Sequence, residues 1–520
     1  MKYNILILFI CLGLFSSCDK DTFSLNLQEN PNELNQSSVD PNSLLNTIVF
    51  NAASTDATFS GLTESLVRLS HQFGPYTGQF SSAGVDAATA PWITSYSVVA
   101  NSRLLSSIAD EQGLSHHKGV AQICEAIVIG DLVDCIGDVV YSEASNVDFA
   151  MPSLDSGEDV YASLLALLDE AIVNLSTEPS SILQDAIYGD ASKWIKLANS
   201  IKLKMYIQSR LVQDNSSSIN SIIQSGNYIT SSEDDFQIDF STSIAPTDSR
   251  SFLFQNNYLS GAENYQSNYF MAKLKDRFSA PDPRLNYYIY RQTLEEPTGI
   301  FLTCEDQGFD FCYIGEGYWG RDHGDNNGVP PDGFARSTYG VYPAGGAFDV
   351  GAGVDVSVSG NLGGAGIQPL LLASQLDFLL AESALMSNTT GDPLEYLKAG
   401  ITKSMNKVFS FAPGNHDQSD IDTYIASVEG VYNSVTTDED KLNVIVTELM
   451  LASYGSAFLV YNTYRRTGLP SDLQDPVVEL GPFPRSFFLP NVEVNANENI
   501  SQKLVTDKVF WDTNPDGFIN

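Results

Sequence analysis

Basic residues are scarce in this chain of 520 residues, where 27 lysines and arginines face 64 aspartates and glutamates for a formal charge of −37. A general nucleic-acid-binding role is excluded, because phosphate contacts need a basic face. The same acidic field argues against polyanionic ligands. Histidine occurs only five times, with His116 and His117 adjacent and His71, His323 and His416 scattered, so no zinc-binding spacing arises. Neither a G-x-S-x-G elbow nor an H-E-x-x-H helix is present, and no apolar run after residue 15 approaches the roughly 20 residues that a membrane-spanning helix needs. Gly315, Gly317 and Gly320 satisfy G-x-G-x-x-G, but Tyr318 and Trp319 fill the turn and no helical run follows, so dinucleotide binding is not supported. Asp322, Asp325, Asn327 and Asp332 miss the EF-hand spacing and read as turn formers. No metal or cofactor is expected.

What is present begins with an address. Lys2 is followed by an uninterrupted apolar run over 5–15, then Ser16, Ser17 and Cys18. The run is too short to cross a bilayer and reads as a signal peptide over 1–17. Cleavage before Cys18 would make that thiol the acceptor of lipid chains, each buried methylene contributing about 0.8 kcal/mol to membrane retention. Residues 18–43 are polar and rich in Asn, Asp, Ser and Pro, as a tether would be. Cys11 leaves with the signal, so four cysteines remain for the folded part. Cys124 and Cys135 stand about 16 Å apart if their helix is continuous, too far to bond, and read as buried thiols. Cys304 and Cys312 flank a short polar loop, which in an exported chain predicts a disulfide contributing roughly 2.5 kcal/mol.

Residues 44–520 read as mainly α, with helical blocks over 44–212 and 369–470, a loop-rich insert over 213–368 with a few short strands, and C-terminal loops over 471–520; length alone would suggest two or three domains. Tyr161, Leu164, Leu165, Leu168, Ile172 and Leu175 recur at helical spacing behind a cap at Ser156. Trp194, Leu197, Ala198, Ile201 and Met205 share a second helical face, leaving Lys193, Lys196, Lys202 and Lys204 solvated or ion-paired. Inside the insert only 267–278 keeps helical periodicity. Further helices are predicted over 374–386, over 393–408 behind Asp392 and Pro393, and over 438–464 with Leu442, Ile445, Leu449, Ala452 and Ser456 facing inward. Function in this layout belongs to the insert, because loops on a rigid frame present residues to partners.

The run Tyr188-Gly189-Asp190-Ala191-Ser192-Lys193-Trp194-Ile195-Lys196-Leu197-Ala198-Asn199-Ser200 resembles a signature helix of the SusD/RagB-like nutrient-binding outer-membrane lipoproteins. Val140-Tyr141-Ser142-Glu143-Ala144, Asp282-Pro283-Arg284-Leu285, Leu379-Leu380-Ala381-Glu382, Tyr464-Arg465-Arg466-Thr467-Gly468 and Phe483-Pro484-Arg485 follow in that family's order. The stretch 317–324, with 339–346, looks like one branch of it. The resemblance implies a single domain over 44–520, built on helix pairs of tetratricopeptide type. It also implies that the protein is not an enzyme but captures an oligosaccharide, or in some members a peptide, at the cell exterior and delivers it to a SusC-like TonB-dependent transporter. Asp19-Lys20-Asp21 after Cys18 is similar to the acidic export tag of such surface lipoproteins.

Sugar rings are held by flat aromatic faces and by planar polar groups that bond hydroxyls. Trp194 lies on an apolar stripe, Trp92 starts a helical pattern with Tyr96, and Trp511 sits in a polar tail that says nothing about its role. Trp319 stands in a glycine-rich loop that does not read as core, beside Tyr318, Arg321, Asp322 and His323. Such a loop either folds the insert or faces a ligand, and the ligand reading selects Trp319, Tyr318, Arg321, Asp322 and His323. Tyr76, in the aromatic loop over 73–80, joins them. Tyr258, Tyr265 and Tyr269 are spaced for one helical face and hence for packing. A surface glycoside hydrolase, the rival from another class, would need two carboxylates roughly 5–10 Å apart in a cleft.

Overall fold

The computed structural model describes residues 39–76, 87–146, 148–302, 304, 307–357 and 362–519. The expected signal peptide over 1–17, the lipid-acceptor Cys18, the tether as far as residue 38 and the aromatic loop beyond Tyr76 lie outside them. Among the described residues there are fifteen helices and four short strands. No helix is long and apolar enough to cross a membrane.

The first block comprises α1 (Pro41–Glu64), α2 (Thr89–Gln112), α3 (Ser115–Ile136), α4 (Gly157–Leu175) and α5 (Ala191–Gln208), each packed on the next. Residues 119–136 of α3 are all buried, so this helix is apolar nearly all round and forms the axis of the block. The helix-start signal at Ser156 holds, its Oγ accepting from the Asp159 amide at 3.2 Å, and Asp190 caps α5 in the same way, accepting from the Ser192 amide at 2.8 Å. The α5 lysines are ion-paired, Lys196 with Asp234 at 2.7 Å and Lys204 with Asp131 at 3.3 Å. Cys124 and Cys135 are buried and unbonded.

The second block is α10 (Ala373–Met386), α11 (Pro393–Phe409), α12 (Gln418–Ser434), α13 (Asp438–Ala452) and α14 (Phe458–Thr467). Here the structure corrects two expectations. Helix α12 has no counterpart among the predicted helices, because its inward residues are only Ile421, Tyr424, Val428 and Tyr432 in an otherwise polar run. The helix predicted over 438–464 is broken at 453–457, where Gly455 takes φ +87° and Gln375 Nε2 donates to Ser453 Oγ and Ser456 Oγ at 3.2 and 3.3 Å. Helix α10 packs on α5, and α14 on α1 and α5, which joins the blocks. At that joint Arg466 donates to both oxygens of Glu382, at 2.9 and 2.7 Å, and Arg210 donates to the same carboxylate at 2.7 Å. Burial works against this charge, but the two guanidinium groups hold the Glu382 carboxyl down at about 2.

Between the blocks run α6 (Ser216–Ser225), β1 (Phe236–Asp239), α7 (Phe252–Tyr258), α8 (Asn268–Asp276), α9 (Leu285–Tyr288), β2 (Ile289–Tyr290), β3 (Thr338–Tyr339) and β4 (Ile367–Leu371). Strand β1 pairs antiparallel with β4, and β2 with β3. The expected common face of Tyr258, Tyr265 and Tyr269 is corrected: Tyr258 lies in α7, Tyr269 in α8 and Tyr265 between them, although all three are buried. The C-terminal region is mostly loop with α15 (Asn491–Ala496), yet Trp511 is fully buried and its Nε1 donates to Asp134 Oδ1 at 2.9 Å.

Candidate functional site

Three chain segments lie side by side where the loop after α1 meets the insert. The His71 amide donates to Tyr265 O at 3.2 Å, Arg321 N to Gln266 O at 3.0 Å, and Gly324 N to Gln72 O at 3.1 Å. This approach is close enough to require glycine: a Cβ on Gly320 would lie 2.4 Å from Gln266 O, and one on Gly317 2.2 Å from Thr293 O. The two loops that the sequence singles out, around Tyr76 and around Trp319, are thus brought together.

Asp322 is the polar centre of the junction. Its carboxylate accepts from Asn268 Nδ2 (2.6 Å), Gln474 Nε2 (3.0 Å) and the amides of Phe311 (2.9 Å) and Cys312 (3.1 Å). These bonds hold the loop closed by the Cys304–Cys312 disulfide, whose Cα atoms are 5.6 Å apart. His323 Nε2 and the Tyr76 hydroxyl are 2.8 Å apart, and burial beside Arg68 keeps the imidazole neutral, its pKa well below the usual value. His71 Nε2 lies 2.8 Å from Asp325 O, and burial with nearby Arg321 lowers its pKa to about 3. Arg321 bonds Asp325 Oδ2 (3.0 Å) and Gly328 O (2.7 Å); Arg336 pairs with Asp332. Both guanidinium carbons lie over the Tyr265 ring, at 4.5 and 3.7 Å from its centroid.

The expected exposure of this loop is therefore corrected. Trp319 is only 8% exposed and its Nε1 donates to Glu295 O at 3.1 Å; Tyr318, Arg321, Asp322, His323 and Tyr76 are buried as well. A glycine-rich stretch reads as outlying because glycines supply no apolar pattern, yet here they let the backbone sink into the fold. Asp325 and Asp332, the carboxylates nearest to catalytic candidates in this loop, are each neutralised by an arginine.

What the junction presents outward is phenylalanine. Phe73 is 43% exposed and packs edge-on to Tyr265 at 5.8 Å, and Phe301 is 37% exposed at 5.8 Å from Trp319. A depression of about 20 Å³ is lined by Phe301, the disulfide, Tyr313, Trp319, Arg321 and Tyr265, the ring on which Phe73 packs. A broader cleft of about 870 Å³ opens beside Tyr76 against the loop over 476–483. Phe73 belongs to the aromatic loop recognisable in the sequence. Phe301 carries no such signal beyond its position three residues before Cys304.

A family model described as SusD-like, "starch-binding associating with outer membrane", matches residues 31–315 and 323–480. No curated protein matches the sequence. Among solved structures, a SusD/RagB family protein from Bacteroides thetaiotaomicron superposes with a TM-score of 0.68 at 18% identity, over 92% of this chain and 100% of that one. A chitin-binding SusD homolog from Flavobacterium johnsoniae gives 0.66 at 17% identity, over 91% and 99% respectively. A structure named only as a chitin-binding protein gives 0.68 at 21% identity, over 91% and 100%. At these identities the superpositions establish the fold, and the family model, spanning most of the chain, establishes membership: the protein belongs to the SusD-like family of outer-membrane-associated nutrient-binding proteins.

Proposed function

We propose that this protein captures a neutral oligosaccharide at the outer face of the outer membrane and delivers it to a SusC-like TonB-dependent transporter. The observation that carries the reading is the pair of exposed rings, Phe73 and Phe301, beside a depression whose charged groups are paired within the protein. Flat apolar faces suit the C–H faces of sugar rings, and a site with no unpaired charge gives an ion no advantage. The chain is divided into a signal peptide (1–17), a tether lipid-anchored at Cys18 (18–43) and a single binding domain (44–520). It performs no chemistry on its ligand.

The test is titration of the protein lacking residues 1–18 against maltoheptaose, chitohexaose, a sulfated glycan and short peptides. A neutral glycan should bind, and Phe73→Ala with Phe301→Ala should weaken it at least about tenfold, roughly 1.4 kcal/mol. Both rings also pack in part on the junction, so a small fall in melting temperature is expected, and a native circular dichroism spectrum identifies the variant as folded. Binding of peptides alone, lost when the cleft beside Tyr76 is altered, would replace this reading with peptide capture. Separately, Cys18→Ser should move the protein from the membrane to the soluble fraction, and continued retention would refute the lipid anchor.

A further inference from the structure

A second recess lies apart from the junction. It is a cleft of about 440 Å³ between the loop over 278–286, the start of α12 and the insert, with Tyr318 in its lining while the adjacent Trp319 lines the depression. Its charged groups are already matched. Lys275 pairs with Asp276 (3.0 Å) and Glu316 (3.4 Å), Arg291 with Asp349 (2.6 Å), and Asp282 with Arg284 (2.6 Å). His416 Nδ1 is 3.1 Å from Asp420 Oδ2, which turns the other ring nitrogen, Nε2, away from that carboxylate.

Three polar ends remain. The Tyr318 hydroxyl, the Asn286 carboxamide and His416 Nε2 line the cleft, and none has a hydrogen-bond partner among the described residues. They comprise a group that donates and accepts, a planar amide that does both from adjacent atoms, and an imidazole nitrogen. That set fits the vicinal hydroxyls of a sugar. An anion would need an unpaired cation, and an extended peptide would need an open row of backbone groups. Half-buried Phe278, held by Arg277 over its ring at 4.8 Å, supplies apolar surface in the same cleft.

We propose that this cleft is a second saccharide site, taking a short neutral oligosaccharide independently of the junction. The proposal rests on the reading of the protein as a glycan binder. Two sites on one chain would hold a polymer more tightly than either alone, since engaging the second becomes intramolecular once the first is bound.

The double variant Tyr318→Phe with Asn286→Ala removes two polar ends that bond nothing in the protein, so the fold should be unaffected. Calorimetric titration with maltoheptaose and chitohexaose is run on the wild type, this variant, the Phe73→Ala/Phe301→Ala variant and their combination. The expected result is binding that survives each double variant, at least about fivefold weaker or at half the stoichiometry, and disappears in the combination. Glycan binding abolished by the junction variant and untouched by the cleft variant overturns the second site and leaves the proposed function standing. A wild type that binds neither glycan overturns both.

Discussion

At the scale of single residues, the motifs that identify the family prove to be internal ties. Arg466 grips Glu382, Arg284 pairs with Asp282 and lies 3.4 Å from Glu448, and Arg485 pairs with Asp512, all buried. Removing one member of such a pair strands the other without water, which costs about 3–5 kcal/mol. Another buried pair is acidic on both sides. Asp56 and Asp131 line the same cavity of about 40 Å³, room for a few waters but no sugar ring. Burial, then the neighbouring Asp131, pushes Asp56 well up, and burial raises Asp131 to about 6 against the pull of Lys204. Both carboxyls therefore keep protons that the unfolded chain has already lost. Their contribution to stability is full below about pH 4 and falls as pH rises through about 6. Asp56→Asn cannot ionise, so it should be more stable than the wild type at pH 8 by about 1–3 kcal/mol and nearly equal at pH 4. Urea midpoints at the two pH values decide it, and a variant weaker at pH 8 contradicts the argument.

At the scale of elements, propensity and packing compete at glycines inside helices. Gly119 lies in α3, where an added Cβ would sit 2.6 Å from Leu175 Cγ and 2.9 Å from the Ala171 carbonyl of α4. Alanine gains about 1 kcal/mol of helix propensity. It also forces two buried helices apart, typically costing about 1–3 kcal/mol, and because one neighbour is backbone the cost should win. Gly119→Ala is therefore expected to lower the denaturation midpoint, and a rise would mean α4 gives way easily. Helices with dense apolar stripes, such as α4 and α5, are legible in the sequence, α4 together with its cap at Ser156. Helix α12 is not, because four inward residues satisfy its packing against α11 and α13. The break after α13 is hidden because Ser456 continues the stripe of Leu442, Ile445, Leu449 and Ala452, and only three-dimensional contact with Gln375 shows why the helix stops.

At the scale of the whole molecule, the frame and the contact surfaces are written in different residues. Family membership is legible because several of the motifs that carry it hold arginine–carboxylate ties inside the fold, although overall identity to the superposed structures is only 17–21%. The site is legible only in part. The two loops that the sequence singles out do meet at the junction, but exposure depends on which side of a folded loop faces water, so the outward rings are Phe73 and Phe301 in place of Trp319. The family model also skips 316–322, the stretch whose neighbours Tyr318 and Trp319 line separate recesses. One tie has a consequence in time. Asp134, on the central helix α3, receives hydrogen bonds from Asn462 at 3.1 Å and from Trp511 at 2.9 Å, partners 328 and 377 residues further along the chain. Contacts so remote in sequence close slowly, because the entropy of a long loop must be lost before they form. A ribosome must therefore deliver nearly all of the chain before its axis is sealed. Until Trp511 has been made, the Asp134 carboxylate lacks one of its native donors, so the last residues of the chain complete a helix laid down near its beginning.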